Sequence, residues 1–226
     1  MKNTLVVYSI SYLVLLCIVI GLLCGYPKLE LHCMLNSYHT VFLDYFFRCY
    51  SFLAECPLYV FMLIPLFVKK YRITIFFAIS ELTAGAISYV LKHSIDMERP
   101  VRAFEKCPDL IFPCVEGVDL HSSNSFPSGH SSTFFVFCTV WAIVLAYRYQ
   151  QTADPKDRKA KIKIIVMMFS LLICAALGAY SRVYLSQHFL SDVCVGSIIG
   201  FCVPYIVYYF GKNKLFEKKI QIKNEI

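Results

Sequence analysis

Three short fragments of this chain carry side chains of the kinds that phosphoryl chemistry requires. The first runs from Lys92 to Arg99-Pro100. The second is Pro127-Ser128-Gly129-His130. The third runs from Ser181-Arg182 through His188 to Asp192. Together they hold three cations (Lys92, Arg99 and Arg182), two histidines and a carboxylate. A phosphate ester needs that combination: cations to neutralise its oxygens, a nucleophile, a group to orient the nucleophile, and an acid for the leaving oxygen.

His188 and Asp192 are four residues apart, so a helix beginning near His188 puts them on one face. The carboxylate can then hold one ring nitrogen and leave the other free to attack. Pro127 suits a first helical position. Gly129 permits close backbone approach, and the free N–H groups of a helix start can face an anion, with His130 at the same mouth. Arg99-Pro100 reads as an extended, non-helical dipeptide. Arg grips phosphate as a fork and Lys as a point charge. Each fragment alone also has a plainer reading: a capped span, a simple helix start, or a cation snorkelling at a membrane edge. Spacing alone does not decide which histidine attacks.

The elements that must position these residues are membrane spans. The 226 residues are 58% hydrophobic and 16% charged, with mean hydropathy +0.60. A soluble domain carries about one quarter charged residues. The expected fold is an all-α polytopic bundle using residues 1–226 as one domain. Its six spans are expected near Thr4–Gly25, Ser51–Val68, Ile73–Leu91, Pro127–Tyr147, Ile162–Tyr180 and Phe189–Gly211. Each approaches the ~20 residues that cross a hydrocarbon core. The first run is too long for a signal-peptide core and has no small-residue cleavage site after it, so it counts as a span. Val41, Phe42, Tyr45, Phe46 and Cys49 give Tyr38–Tyr50 one apolar face. Asn36 and Ser37 offer caps, so this segment is expected to form a helix lying in the outer interface. Glu81, near the middle of the third span, is expected to face the bundle interior and bond a neighbouring span.

The formal charge of +7 does not imply a nucleic-acid partner, because basic loops beside spans account for it. With the N-terminus inside, fifteen Lys and Arg fall on inner segments. These include the turn Lys69-Lys70-Tyr71-Arg72, the loop Gln150–Lys161 and the tail beyond Gly211. Seven fall on outer segments. The expectation is a plasma (inner) membrane protein with both termini cytoplasmic and all three fragments facing out. Most of the eleven cysteines lie inside spans as packing residues. Cys107 and Cys114 share the outer loop and are expected to pair in an oxidising compartment. No Cys/His spacing suggests zinc. Asp96 and Glu98 form at most a weak metal site, so no metal or cofactor is expected.

The order and internal spacing of the three fragments resemble the type 2 phosphatidic acid phosphatase family. The pattern is Lys92, six residues, Arg99-Pro100; then Pro127-Ser128-Gly129-His130; then Ser181-Arg182, five residues, His188, three residues, Asp192. The chain matches it at every defining position, and the six-span layout extends the likeness over nearly the whole chain. The resemblance implies that His188 attacks phosphorus to form a phosphohistidine. It implies that His130 protonates the leaving group and then activates water. It also implies phosphate binding by Lys92, Arg99, Ser128, Gly129, His130 and Arg182, with no metal. The implied substrate is a phosphomonoester or diphosphate of a membrane lipid, such as phosphatidylglycerol phosphate, phosphatidic acid, lipid A phosphate or undecaprenyl diphosphate.

Two other readings use the same residues. Vanadium haloperoxidases resemble this site because vanadate mimics phosphate, but they are soluble, and six apolar spans argue against them. A lipid-binding or transport protein with a relict site is the non-catalytic alternative. Such a protein is expected to have lost a histidine or the aspartate, and neither is lost.

Overall fold

The computed structural model describes residues 2–55, 57–67, 71–154 and 157–212. These form α1 (Lys2–Gly25), α2 (Lys28–Leu35), α3 (Val41–Phe52), α4 (Pro57–Phe67), α5 (Tyr71–Ser94), α6 (Pro100–Glu105), α7 (Gly129–Thr152), α8 (Arg158–Tyr184) and α9 (Leu190–Lys212), with no strand among the described residues. Thr4–Gly25 of α1 and the whole of α5, α7, α8 and α9 are long and apolar enough to cross a membrane. The protein is a multi-span, all-helical membrane bundle. The Lys69–Lys70 turn, Lys156 and the tail beyond Lys212 lie outside the described residues.

The second span departs from expectation. The helix expected before it is present as α3, but the span does not start at Ser51. Instead α3 ends at Phe52, a turn follows, and α4 starts at Pro57; α3 and the stretch Pro57–Pro65 are bent by 48°. Proline lacks an N–H, which suits Pro57 to the first residue of a helix, where that donor would be unpaired. At ~1.5 Å per residue, the described part of α4 covers roughly 16 Å, and α3 with Pro57–Pro65 together has the length and apolar character of a span. The cap expected from Asn36 or Ser37 is Thr40 instead, whose hydroxyl accepts the Leu43 N–H at 3.2 Å. Val41, Phe42 and Tyr45 are exposed, as an interfacial face requires. The short helices α2 and α6 were not anticipated. Pro100 is the first residue of α6, so only the Arg99 half of that dipeptide is extended (φ −79°, ψ 163°).

The central helix is α7, buried along most of its length, with α5, α8 and α9 packed around it. Val6, Ile10, Leu13 and Val14 of α1 and Ile206 and Phe210 of α9 turn outward, as lipid-facing residues do. Apolar burial does not hold helices together in lipid, so close approach and interhelical hydrogen bonds matter more. Gly196 and Gly200 bring main chain against main chain. A Cβ on Gly196 would meet the Ser128 carbonyl oxygen at 2.4 Å, and one on Gly200 would meet that of Ser132 at 2.3 Å. The backbone of α9 thus lies directly on the first turn of α7. Hydrogen bonds tie in α1, from Tyr8 to Thr139 (3.1 Å), Tyr12 to Ser197 (3.2 Å) and Ser9 to Tyr205 (2.7 Å). Glu81 bonds neighbouring helices as expected. Its Oε1 accepts from Thr133 of α7 at 2.6 Å and from Tyr59 of α4 at 2.9 Å.

Candidate active site

All three fragments meet at one end of the bundle. Lys92 lies in the last turn of α5. The chain then turns so that Arg99 can cap α6, with its guanidinium directed inward and only 8% exposed. Backbone carbonyls brace it: Nε donates to Ser123 O (2.9 Å) and Nη1 to Gln187 O (3.1 Å), and Nη1 also reaches Gln187 Oε1 (3.3 Å). Gln187 is held in turn by Nε2 donating to Asp119 O at 2.6 Å.

Pro127 does not open α7. Ser128 is the N-cap and Gly129 the first helical residue; the Ser128 hydroxyl accepts the Ser131 N–H at 3.4 Å and the Ser131 O–H at 3.0 Å. Serine wins the cap position because its side-chain oxygen can satisfy a helix-start N–H, which proline cannot do. The Ser128 N–H donates to the Asp192 carbonyl at 3.0 Å, locking the start of α7 to the first turn of α9. The N–H groups of Gly129 and His130 have no partner within the helix. The side of Gly129 where a Cβ would stand is open space. A helix N-terminus of this kind favours an anion.

Arg182 lies inside α8, which extends to Tyr184, beyond the expected end of that span. Phe47 of α3 packs against Tyr180 and Tyr184, bringing the end of α3 over Arg182. Arg182 Nη1 donates to Ser51 Oγ at 2.6 Å, while its buried Nε has no hydrogen-bond partner. After Tyr184 the chain folds back, and the N–H groups of Gln187 and His188 both donate to the Arg182 carbonyl, at 3.0 and 3.1 Å. Ser186 sits at φ +50° in this turn; its hydroxyl donates to Pro113 O and meets Nε2 of the buried His32 at 3.0 Å.

That turn delivers His188 to the floor of the site, 2% exposed. Its Nδ1 faces Asp192 Oδ2 at 3.6 Å, too long for a direct hydrogen bond. Ser125 Oγ joins them: it donates to Asp192 Oδ2 at 2.5 Å and lies 3.4 Å from His188 Nδ1. Asp192 also accepts the Phe189 N–H on Oδ2 (3.1 Å) and the Ser191 hydroxyl on Oδ1 (3.1 Å). The arrangement suits a proton on Nδ1 and a lone pair on Nε2. Burial, with the charges of Arg99 and Arg182, pushes His188 from the usual 6.5 down to about 4, against the opposing pull of Asp192. The imidazole is therefore neutral at pH 7. His130 stands at the mouth, its Nε2 3.4 Å from Glu55 Oε1.

Lys92, Arg99, Arg182, Asp192, His188, Ser128, Gly129 and His130 are thus one constellation. The sequence reading missed Ser125, Gln187, Ser51 and Glu55. Ser125 and Gln187 adjoin signature fragments, but no spacing marks them, and Ser51 lies 131 positions from the arginine it binds. The pairing of Cys107 with Cys114 is not formed; both are free thiols. Cys107 sits in the turn that closes α6. The stretch around Cys114 is anchored by Pro113 and the buried Val115, leaving the Cys114 side chain exposed. Among the described residues, no group of three or more His, Cys, Asp or Glu could hold a metal ion.

A family model described as PAP2 superfamily matches residues 73–216. The chain is 34% identical over 113 residues to a PA-phosphatase related-family protein of Dictyostelium discoideum, covering 50% of this chain and 41% of that one. It is 28% identical over 142 residues to a probable diacylglycerol pyrophosphate phosphatase of Schizosaccharomyces pombe, covering 57% of this chain and 50% of that one. The chain thus spans half or less of the length of these curated relatives. The crystal structure of a transmembrane PAP2 type phosphatidylglycerolphosphate phosphatase from Bacillus subtilis superposes with TM-score 0.58 at 18% identity, over 95% of this chain and 98% of that one. At that identity the likeness is one of fold.

Proposed function

The chain belongs to the PAP2 superfamily, and from that premise we propose that it is an integral membrane lipid phosphatase working through a phosphohistidine. The observation that carries this reading is the buried His188, bridged by Ser125 to Asp192 and near Arg99 and Arg182, the second of which keeps a buried Nε without a partner. A buried donor left unpaired costs about 1–3 kcal/mol, which an anionic oxygen would recover.

The phosphate sits among Lys92, Arg99, Arg182 and the N–H groups at the start of α7. His188 Nε2 attacks phosphorus, forming the N–P bond as the ester P–O bond breaks. His130 gives its proton to the departing oxygen. Charge on the equatorial oxygens grows where the two guanidiniums and the ammonium stand, which is where electrostatic preorganisation lowers a barrier. Water then attacks phosphorus, His130 takes its proton, and the N–P bond breaks to release phosphate and neutral His188. Every step uses side chains of this chain and needs no metal.

The substrate is a phosphomonoester or diphosphate of a membrane lipid. Its tails stay in the bilayer while its phosphate reaches the end of the bundle. The fifteen-to-seven division of Lys and Arg supports an outward-facing site in the plasma membrane, with both termini cytoplasmic. The test is phosphate release by purified protein in detergent with EDTA, over a panel of lipid monophosphates and diphosphates. Release by the wild type and none by His188→Ala is expected. No release from any lipid phosphate overturns the reading.

A further inference from the structure

Two side chains of the site come from before residue 73, where the family match begins. They are Ser51, near the end of α3, and Glu55, in the turn after it. Four positions apart, they reach two different members of the constellation: Ser51 holds Arg182 and Glu55 meets His130. The turn fixes Glu55 through backbone bonds, from Ala54 N–H to Ser51 O (3.2 Å) and from Glu55 N–H to Phe52 O (3.0 Å). The 3.4 Å contact joins a half-exposed carboxylate to an imidazole that is 26% exposed. Beside them opens a cavity of about 290 Å³, lined by Arg48, Ser51, Glu55, His121 and Arg182 among others. The site is therefore walled on the His130 side by Arg48 and Ser51 of α3 and by Glu55 of the turn that follows it.

Resting on the phosphatase reading above, we propose that Glu55 is the positioning residue of His130, holding the ring and compensating its charge when it acts as the acid for the leaving group. Asp192 cannot serve, since its oxygens are committed to Ser125, Phe189 and Ser191 on the far side of His188. An imidazolium beside Lys92, Arg99 and Arg182 is a fourth positive charge, and an anion at hydrogen-bond range offsets that repulsion. The imidazolium carries a proton on each nitrogen. With Glu55 balancing the charge, one proton passes to the leaving oxygen as the P–O bond breaks, and the ring returns to neutral. Because Glu55 is open to water, its contribution is smaller than that of His130 itself.

The test is how the effect of Glu55→Gln depends on the leaving group. A short-chain phosphatidic acid expels an alkoxide and needs the acid; p-nitrophenyl phosphate expels a stabilised phenolate and does not. The expected result is a kcat/KM, which reports formation of the phosphohistidine, lowered roughly fivefold to tenfold on the alkyl phosphate, well short of the ~10²–10⁴ that a lost general acid costs. On the aryl phosphate kcat/KM stays within about twofold of wild type, and Glu55→Asp recovers part of the alkyl value. Equal losses on both substrates, a larger loss on the aryl phosphate, or no loss on either overturns the assignment while leaving the phosphatase reading intact. Failure of the wild type to turn over either substrate overturns both.

Discussion

Asp192 does not touch His188 directly: 3.6 Å separates Oδ2 from Nδ1, and the buried hydroxyl of Ser125 bridges them. The carboxylate is therefore an anchor for a serine as much as a partner for a histidine. The serine spends its single proton on Asp192, so its oxygen is left to accept from Nδ1–H. That fixes the tautomer in which Nε2 is the nucleophile.

Ser125→Ala is expected to lower kcat by roughly 10- to 100-fold with KM little changed, because orientation of the nucleophile is lost while phosphate binding is not. Asp192→Asn should cost more, since it also removes the charge that stabilises the imidazolium of the departing step. Steady-state kinetics on a single lipid phosphate separates the two. An increase in KM alone for Ser125→Ala would contradict the bridging role.

His188→Ala should lose on the order of 10⁴-fold or more in turnover while remaining folded and inserted. Brief exposure to labelled aryl phosphate and acid-free quenching should trap phosphate on the wild type and none on this variant. His130→Ala should hold the label longer, because the water-activating step is impaired. Label persisting on His188→Ala would assign the nucleophile elsewhere.

The acid limb of kcat/KM reports the free enzyme's essential base. With His188 lowered to about 4, activity should persist well below the 6.5 of an ordinary histidine and fall as pH drops through about 4. Burial lowers His32 to about 4 as well. Both groups bind protons more readily when unfolded. Their contribution to stability is thus complete above about pH 6.5 and lost progressively as pH falls toward 4. Parallel pH profiles of turnover and of thermal unfolding check both statements.

Chelation should leave activity unchanged, since the anion is held by Lys92, Arg99, Arg182 and the start of α7. Vanadate should inhibit by taking up the geometry of the transferring phosphoryl group. A strict need for added divalent metal would contradict the mechanism.

The exposed Cys114 thiol should react with an impermeant reagent in intact cells or spheroplasts, and Cys114→Ser should remove that label. A cysteine introduced in Gln150–Lys161 should stay unlabelled until the membrane is opened. The reverse pattern would place the site on the cytoplasmic leaflet.

The helices and the reacting groups were legible because both are local. Long apolar runs declare spans, and Lys92 to Arg99, Ser128 to His130 and Arg182 to Asp192 each lie close in the chain, across a single helix end or helix-to-helix turn. The start of the second span and its bend were not legible because apolar content does not show a bend; Pro57 was the available signal. Helices α2 and α6, of eight and six residues, carry too few periodic positions to stand out. Ser51 and Glu55 were invisible for another reason. Their partners lie on α8 and α7, and long-range packing brings α3 to them: Phe47 against Tyr180 and Tyr184, and Tyr50 against Phe134.

The contact of Gly196 and Gly200 with the first turn of α7 acts as a caliper with bare metal jaws. His188 and Asp192 belong to one jaw, Ser128 and His130 to the other, and the gap between them is set by main-chain atoms that no rotamer change can adjust. An added methyl group at Gly85 meets open space. At residue 196 it can only push the jaws apart, so a change that looks like a minor packing fault would be measured as a longer reach between nucleophile and acid. The spacing of the two histidines is in this sense a property of missing atoms, and enlarging either glycine should damage the chemistry before it damages the fold.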